Sequence, residues 1–362
     1  MEFNKGQYYE GDGATTMVAG NVGLPLTDQG FVNLSREYRT ADPTSRSVQR
    51  DDAAALINNG NTFVEDPAQV WGSPEIKGDL KFFANAGLEL DQNSEAYLFG
   101  NYARREVEGG FYFRNPHNRG GVNDGGTNDS GEQLLLVADL TPDLSGNCPT
   151  DIAVGSNVLE NPVYINQVAN NPDCFAFNEL FPGGFTPKFG GIVTDASLVV
   201  GTRGELDNEL NYDVSGTYGT NEIDYAISNT INPSLGPETP TSFNPGRYIQ
   251  TEASFNIDIN KYIDIGGNEP LFLAGGIEYR YEAFEAIAGD PKSYEVGPLA
   301  AQGFGIGSNG FPGLAARFQG KNSRNSAALY IDSEYFFSED FMVGAAIRYE
   351  DFSDFGDTTK GK

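Results

Sequence analysis

The sequence has little histidine, tryptophan or methionine: one, one and three residues in 362. The lone histidine, His117, leaves no second imidazole for a zinc site and would have to carry any histidine-based triad alone. Its setting, Arg114-Asn115-Pro116-His117-Asn118-Arg119, reads as a solvated basic loop. Long apolar runs are also missing; none exceeds the five residues of 134–138. A helical membrane protein needs about 20, so that class is excluded. Lysine and arginine number 23 against 51 aspartates and glutamates, a net charge of -28. So acidic a surface repels phosphate backbones, which argues against nucleic acid, and it does not dock electrostatically on anionic lipid. With carboxylates this common, a pair of them marks no acid–base site, and no glycine-rich phosphate loop stands between a strand and a helix. The residues point to no enzyme, no cofactor and no metal. The segment 123–130, NDGGTNDS, is only loosely like a calcium loop; it lacks the full spacing and the bidentate glutamate, and reads as a mobile polar loop.

Cysteine is limited to Cys148 and Cys174, which lie 26 positions apart in a Pro- and Asn-rich stretch. A disulfide there would stabilise a long loop by roughly 3–4 kcal/mol in the chain-entropy model and calls for an oxidising compartment. The other reading is two unpaired structural cysteines. The opening MEFNKGQYY has neither a basic nor an apolar leader segment. The expectation is a signal already removed, or a chain that starts inside a longer product.

What the sequence does have is glycine (45), phenylalanine (25) and tyrosine (18), in period-two patterns. Ala253, Phe255, Ile257 and Ile259 alternate with Glu252, Ser254, Asn256 and Asp258. Leu271, Leu273, Ile277, Tyr279 and Tyr281 alternate with Ala274, Gly276, Glu278, Arg280 and Glu282; Val343 and Ile347 alternate with Gly344 and Arg348. Each apolar face runs about ten residues, which at about 3.3 Å per residue and a tilt of about 40° climbs roughly 25 Å, the apolar band of a transmembrane β-barrel. The charged face needs water, hence a wide wet lumen. Ten strands are predicted, at 14–24, 30–40, 78–90, 95–106, 192–205, 208–229, 248–263, 271–287, 324–337 and 340–352. Tyr38, Tyr102, Tyr218, Tyr279, Tyr335 and Tyr349 suit aromatic girdles at a lipid–water boundary. After Tyr218 the apolar phase moves to Ile223, Tyr225 and Ile227, which predicts a bulge near Gly219. Short turns at 25–29, 91–94, 206–207, 266–270 and 338–339 alternate with long connections at 41–77, 107–191, 231–247 and 288–323. That is an all-β, antiparallel up-and-down transmembrane barrel with its large loops on one side.

Several segments carry a family resemblance: GQYYEGDG at 6–13, GLPLTDQGFVNLSREYRTADPTSR at 23–46, EAYLFGNYARREVEGGFYFRNPHNRGG at 95–121, FPGGFTPKFGG at 181–191, ISNTINPSLGPETPTSFNPG at 227–246 and GAAIRYEDFSDFGDTTKGK at 344–362. Together they resemble the barrel of TonB-dependent outer-membrane receptors. The resemblance implies a 22-stranded barrel holding an N-terminal plug, located in the cell outer membrane. It implies uptake of a scarce nutrient (siderophore, cobalamin, oligosaccharide or peptide) with energy passed from TonB through the plug. Residues 1–362 are expected to be a partial barrel domain without the plug, so that TonB and plug are partners only through the parent protein. Ten of 22 strands make an open sheet, with 14–24 and 340–352 as its edges.

Outer-membrane lipid and a small-molecule or oligomeric nutrient are the expected partners. Arg104, Arg105, Tyr112, Arg114 and Arg119 are the candidate ligand residues, since guanidinium groups grip carboxylate and phosphate while aromatics stack on flat or sugar ligands. The competing reading pairs these arginines with lumen carboxylates. At the level of function, the alternatives are a passive porin or channel, and a secreted β-rich binding module.

Overall fold

A computed structural model of the chain describes every residue except Asn268. The strands in chain order are β1 (Glu2–Gly6), β2 (Thr15–Thr27), β3 (Gly30–Ala41), β4 (Glu75–Glu89), β5 (Ser94–Gly110), β6 (Asp124–Thr127), β7 (Gln133–Leu135), β8 (Ala138–Asp139) and β9 (Cys174–Phe175). They continue with β10 (Lys188–Glu205), β11 (Asn211–Ser228), β12 (Ser242–Ile263), β13 (Leu271–Ala288), β14 (Gly320–Ser338), β15 (Phe341–Phe352) and β16 (Gly356–Gly361). β6–β7 and β8–β9 are small ladders inside one connection; the other twelve strands form a single antiparallel sheet in chain order. All ten predicted strands are present. The expected turn at 266–270 includes Asn268, which lies outside the described residues.

The expected edges are corrected. β1 pairs with β2 from Glu2↔Ala19 to Gly6↔Thr15, and β16 pairs with β15 from Gly361↔Ile347 to Gly356↔Phe352. Both added strands are short, and EFNKG and GDTTKG carry no apolar alternation to read. Among the described residues no ladder joins β1 to β16, so the sheet is open.

Register sorts the side chains into two faces. Tyr218 sits opposite Leu198 and Ala253, Ile257 opposite Val214 and Ile277, and Ile331 opposite Ile347. This outer face leaves Leu198, Phe255, Ile277, Leu329, Val343 and Ile347 exposed, an apolar expanse far beyond what a soluble monomer shows. The other face is charged and networked. Glu278 accepts from Arg280 at 2.7 Å and from Arg348 at 3.2 Å, and Tyr330 Oη donates to Asp258 at 2.7 Å. Gly276 makes room for that last bond, since a Cβ there would lie 2.6 Å from Asp258 Oδ1. In lipid, Ile257→Arg should therefore cost about 2–4 kcal/mol near the midplane, more than Asp258→Ala, in refolding titrations with vesicles. The reverse order would invert the faces.

The predicted bulge near Gly219 is also corrected. Register runs unbroken through Gly219 on both sides, opposite Ser197 and Glu252. The irregularity falls higher, between Tyr225↔Gly246 and Ile227↔Phe243, where β12 carries Asn244 and Pro245 against Ala226 alone. Proline has no N–H to give a ladder, so this is where a bulge fits. What changes after Tyr218 is the surroundings of each face. Glu222 and Asp224 take the outer positions and bind Arg247 at 2.9 and 3.1 Å, while Ile223, Tyr225 and Ile227 turn to the inner face. Below that level the outside is apolar and the inside wet; above it the two exchange.

The exchange follows from the long connections, which all leave one end of the sheet. Residues 42–74, 111–187, 229–241 and 289–319 pack on one another into a cap, whose Phe311 lies over rings of the inner face. The helix α1 (Asp51–Asn58) begins with Asp51 and Asp52, which suit the positive end of its dipole. It buries Ala53 and Leu56 against Val64, Ala68 and Phe113. A second cluster lies within 111–187: Leu135, Val137, Ile152, Val154, Val158, Tyr164, Val168, Cys174 and Ala176. A third, Val122, Ala138, Phe175, Phe177, Phe185, Ile231, Leu299 and Phe304, draws on three connections at once. Asn232 ties two of these connections, 229–241 and 289–319, together. Its side-chain amide donates to the carbonyls of Lys292 and Glu295, and its Oδ1 accepts from the Gly307 amide at 3.0 Å.

Candidate functional site

At the top of the inner face, beneath the cap, the strands present an arc of aromatic rings. Phe189 on β10 stacks on Tyr225 of β11 at 5.7 Å, Tyr225 meets Tyr248 of β12 edge-on at 5.7 Å, and Tyr248 meets Phe284 of β13 at 5.2 Å. Phe311, from connection 289–319, covers two of them at 4.8 and 5.0 Å. Phe111, just after β5, extends the arc, 6.3 Å from Phe189. All of these rings are only partly covered, and Phe284 is exposed. None of these residues is among the five candidates that the sequence offers. The signal for the arc in the sequence is the phase change of β11, to which Tyr225 belongs.

The five candidate ligand residues do not form one cluster. Arg104 and Arg105 are neighbours in a strand and so point to opposite faces. Arg104 sits opposite Thr194 on the outer face, exposed. Arg105 turns inward and holds the buried Asp79 at 2.7 Å, beside Lys81. Tyr112 packs edge-on against Trp71 at 5.1 Å and against Phe111 at 5.8 Å, and remains exposed. Arg114 and Arg119 do meet. Arg114 Nε donates to Asn309 Oδ1 at 2.7 Å, and Arg119 Nη2 reaches the same oxygen at 3.4 Å. The Arg114 guanidinium also lies over the Phe111 ring at 5.5 Å, which places this pair at one end of the arc. Burial, with Arg119 adding like charge, pulls Arg114 down to about 10, and burial lowers Arg119 as well.

His117 differs from the solvated histidine expected: its Nε2 is buried without a hydrogen-bond partner, and burial holds its pKa below the ordinary value. In 123–130, Asp124 Oδ1 accepts from the Gly126 amide and Asn128 Oδ1 from those of Ser130 and Glu132, so these oxygens serve the turn itself. Cys148 and Cys174 form the expected disulfide within one connection, their Cα atoms 5.5 Å apart. A cleft of about 810 Å³ is at the far end of the sheet, lined by Glu89, Asp91, Glu95, Arg203, Glu205 and Asp213. It lies among the short turns, away from the arc.

The family described as TonB dependent receptor-like, beta-barrel matches residues 161–362. No curated protein matches the chain. Among solved structures it is similar to the ferric enterobactin receptor PfeA in complex with BCV-L6, with TM-score 0.52, 12% identity, and coverage of 99% of this chain and 40% of that one. It is likewise similar to the Q482A mutant of PfeA from Pseudomonas aeruginosa in complex with enterobactin (TM-score 0.51, 11% identity, 99% and 40% coverage). A third similarity is to the siderophore receptor PirA from Acinetobacter baumannii, at TM-score 0.49, 13% identity, and 99% and 39% coverage. The chain thus spans about 40% of the length of the solved structures it matches.

Proposed function

We propose, from the premise that this chain belongs to the family of TonB-dependent receptor-like β-barrels, that it forms the ligand-capturing part of an outer-membrane receptor that imports a scarce nutrient. The observation that carries this reading is the aromatic arc running from Phe111 through Phe189, Tyr225 and Tyr248 to Phe284, roofed by Phe311. Rings held on rigid strands under a folded cap suit capture of a small flat or sugar-like molecule from outside. The exposed apolar face supports a home in lipid and weighs against a secreted soluble module. The solved PfeA structure holds enterobactin; at 11% identity that likeness carries the fold, and the arc alone supports the class of cargo proposed. Energising by TonB through a plug belongs, on this reading, to the whole receptor.

The test is uptake of labelled candidate nutrients by cells that carry the intact receptor, with and without TonB. Tyr225→Ala combined with Tyr248→Ala should weaken binding by about 1–3 kcal/mol in total, roughly 5- to 150-fold in Kd, at unchanged receptor levels. Uptake that continues undiminished without TonB would sink the proposal and revive the passive channel.

A further inference from the structure

Arg114 and Arg119 meet at one neutral oxygen with no carboxylate between them. The chain carries 51 acidic side chains against 23 basic ones, and inner-face arginines such as Arg105, Arg280, Arg324 and Arg348 each hold a carboxylate. Yet among the described residues no carboxylate lies within 4.0 Å of Arg114 or Arg119. Arg114 is only 4% exposed. Both guanidinium groups converge on one neutral acceptor, Asn309 Oδ1, and Arg119 Nε is buried with no acceptor at all. A buried charge left unpaired is strongly destabilising, and two like charges side by side are worse.

The surroundings hold this arrangement in place. Arg114 is pinned by a two-way backbone bridge to Phe185, its amide donating at 2.7 Å and its carbonyl accepting at 3.1 Å. The Arg119 carbonyl accepts from the amides of Val122, Asn123 and Asp124. Asn309 is fixed at both backbone ends: its amide donates to the Ile231 carbonyl at 2.8 Å, and its carbonyl accepts from Thr230 Oγ1 at 2.5 Å. Gly310, at φ +118°, follows; a Cβ there would come 3.6 Å from Arg114 Nη2. The two arginines and the asparagine thus come from different connections, 111–187 and 289–319, and face each other across a seam.

We infer that Arg114, Arg119 and Asn309 form a seat for an oxyanion, a carboxylate, sulfate or phosphate group, that closes the seam between these two connections. Paired guanidinium donors match the geometry of such groups, and the negative charge would neutralise the pair that the acidic chain itself leaves without a carboxylate. The anion comes either from solution or from an acidic group on a ring-bearing ligand that also reaches Phe111 and the arc. The seat does not depend on the receptor reading, because it is tested without uptake.

The experiment is calorimetric titration of the intact receptor, purified in detergent and in chloride-free buffer, with sodium sulfate and separately with sodium benzoate, alongside hydrogen exchange of 111–121 and 305–313. Saturable binding with raised protection of both segments is expected. Sulfate binding at least as tightly as benzoate assigns the seat to a free anion; benzoate binding tighter assigns it to a ring-bearing acid. Arg119→Gln should weaken binding by about tenfold or more, the loss expected for one charge-assisted hydrogen bond. Asn309→Asp supplies a carboxylate from within, so it should protect both segments without added anion and abolish the response to it. No saturable binding of either anion, together with an Asn309→Asp protein no better protected than the parent, overturns the proposal.

Discussion

Phe177→Ala is expected to cost the cap about 3–5 kcal/mol, the range for emptying a buried aromatic site, and to loosen three connections at once. Phe177 is 1% exposed and meets Phe175 edge-on at 4.9 Å and Phe304 at 5.8 Å. Phe304 comes from 289–319, Ile231 in the same cluster from 229–241, and Phe177 itself from 111–187. The cavity therefore opens where all three meet, and none can close it alone. Limited proteolysis of the receptor in detergent is the measurement: cleavage should appear in all three connections at similar protease concentrations, while the sheet stays resistant. Val158→Ala is the control, because Val158 belongs to a cluster drawn from its own connection, and its cleavage should stay within 111–187. If Phe177→Ala also exposed only 111–187, the shared core would not hold the cap together.

Replacing both Cys148 and Cys174 by serine should remove about 3–4 kcal/mol of local stability in the chain-entropy model. The bridge closes a segment with two 3₁₀ or π turns and little strand, so chain entropy is what it chiefly opposes. Cys174 is buried in the same cluster as Leu135, Ile152 and Val168, and Cys148 packs at its margin. The cluster survives reduction in composition but loses its tether. Hydrogen exchange should accelerate across 141–173, with Tyr225 and Tyr248 of the inner-face arc protected as before because they sit on strands. Equal acceleration at Tyr225 and Tyr248 would mean that the bridge supports the whole cap.

The barrel was legible because lipid outside and water inside impose opposite demands on alternate residues, and that pattern is printed in strands such as β12 and β13. The disulfide was legible because two cysteines in one strand-poor segment have few other uses. The edge strands were not, since β1 and β16 carry polar residues on both faces. The arginine site was half legible. Arg114 and Arg119 are close in sequence, but the oxygen that gathers them belongs to Asn309, 195 positions from Arg114, and no local pattern announces such a contact. Nor could sequence proximity separate Arg104 from Arg105, whose roles diverge because one residue of strand turns a side chain through the sheet.

The row where Glu222 and Asp224 meet Arg247 on the outer face also marks one boundary of the apolar band. Beneath it the side chains prefer hydrocarbon, and at it they hold charges that hydrocarbon would strip of water. A bilayer of longer acyl chains would have to thin around the protein, or the sheet would have to tilt less, to keep those ion pairs at the headgroups. The sheet is thereby matched at this rim to one depth of membrane: its refolding should be most complete in vesicles of that acyl length and fall away on either side.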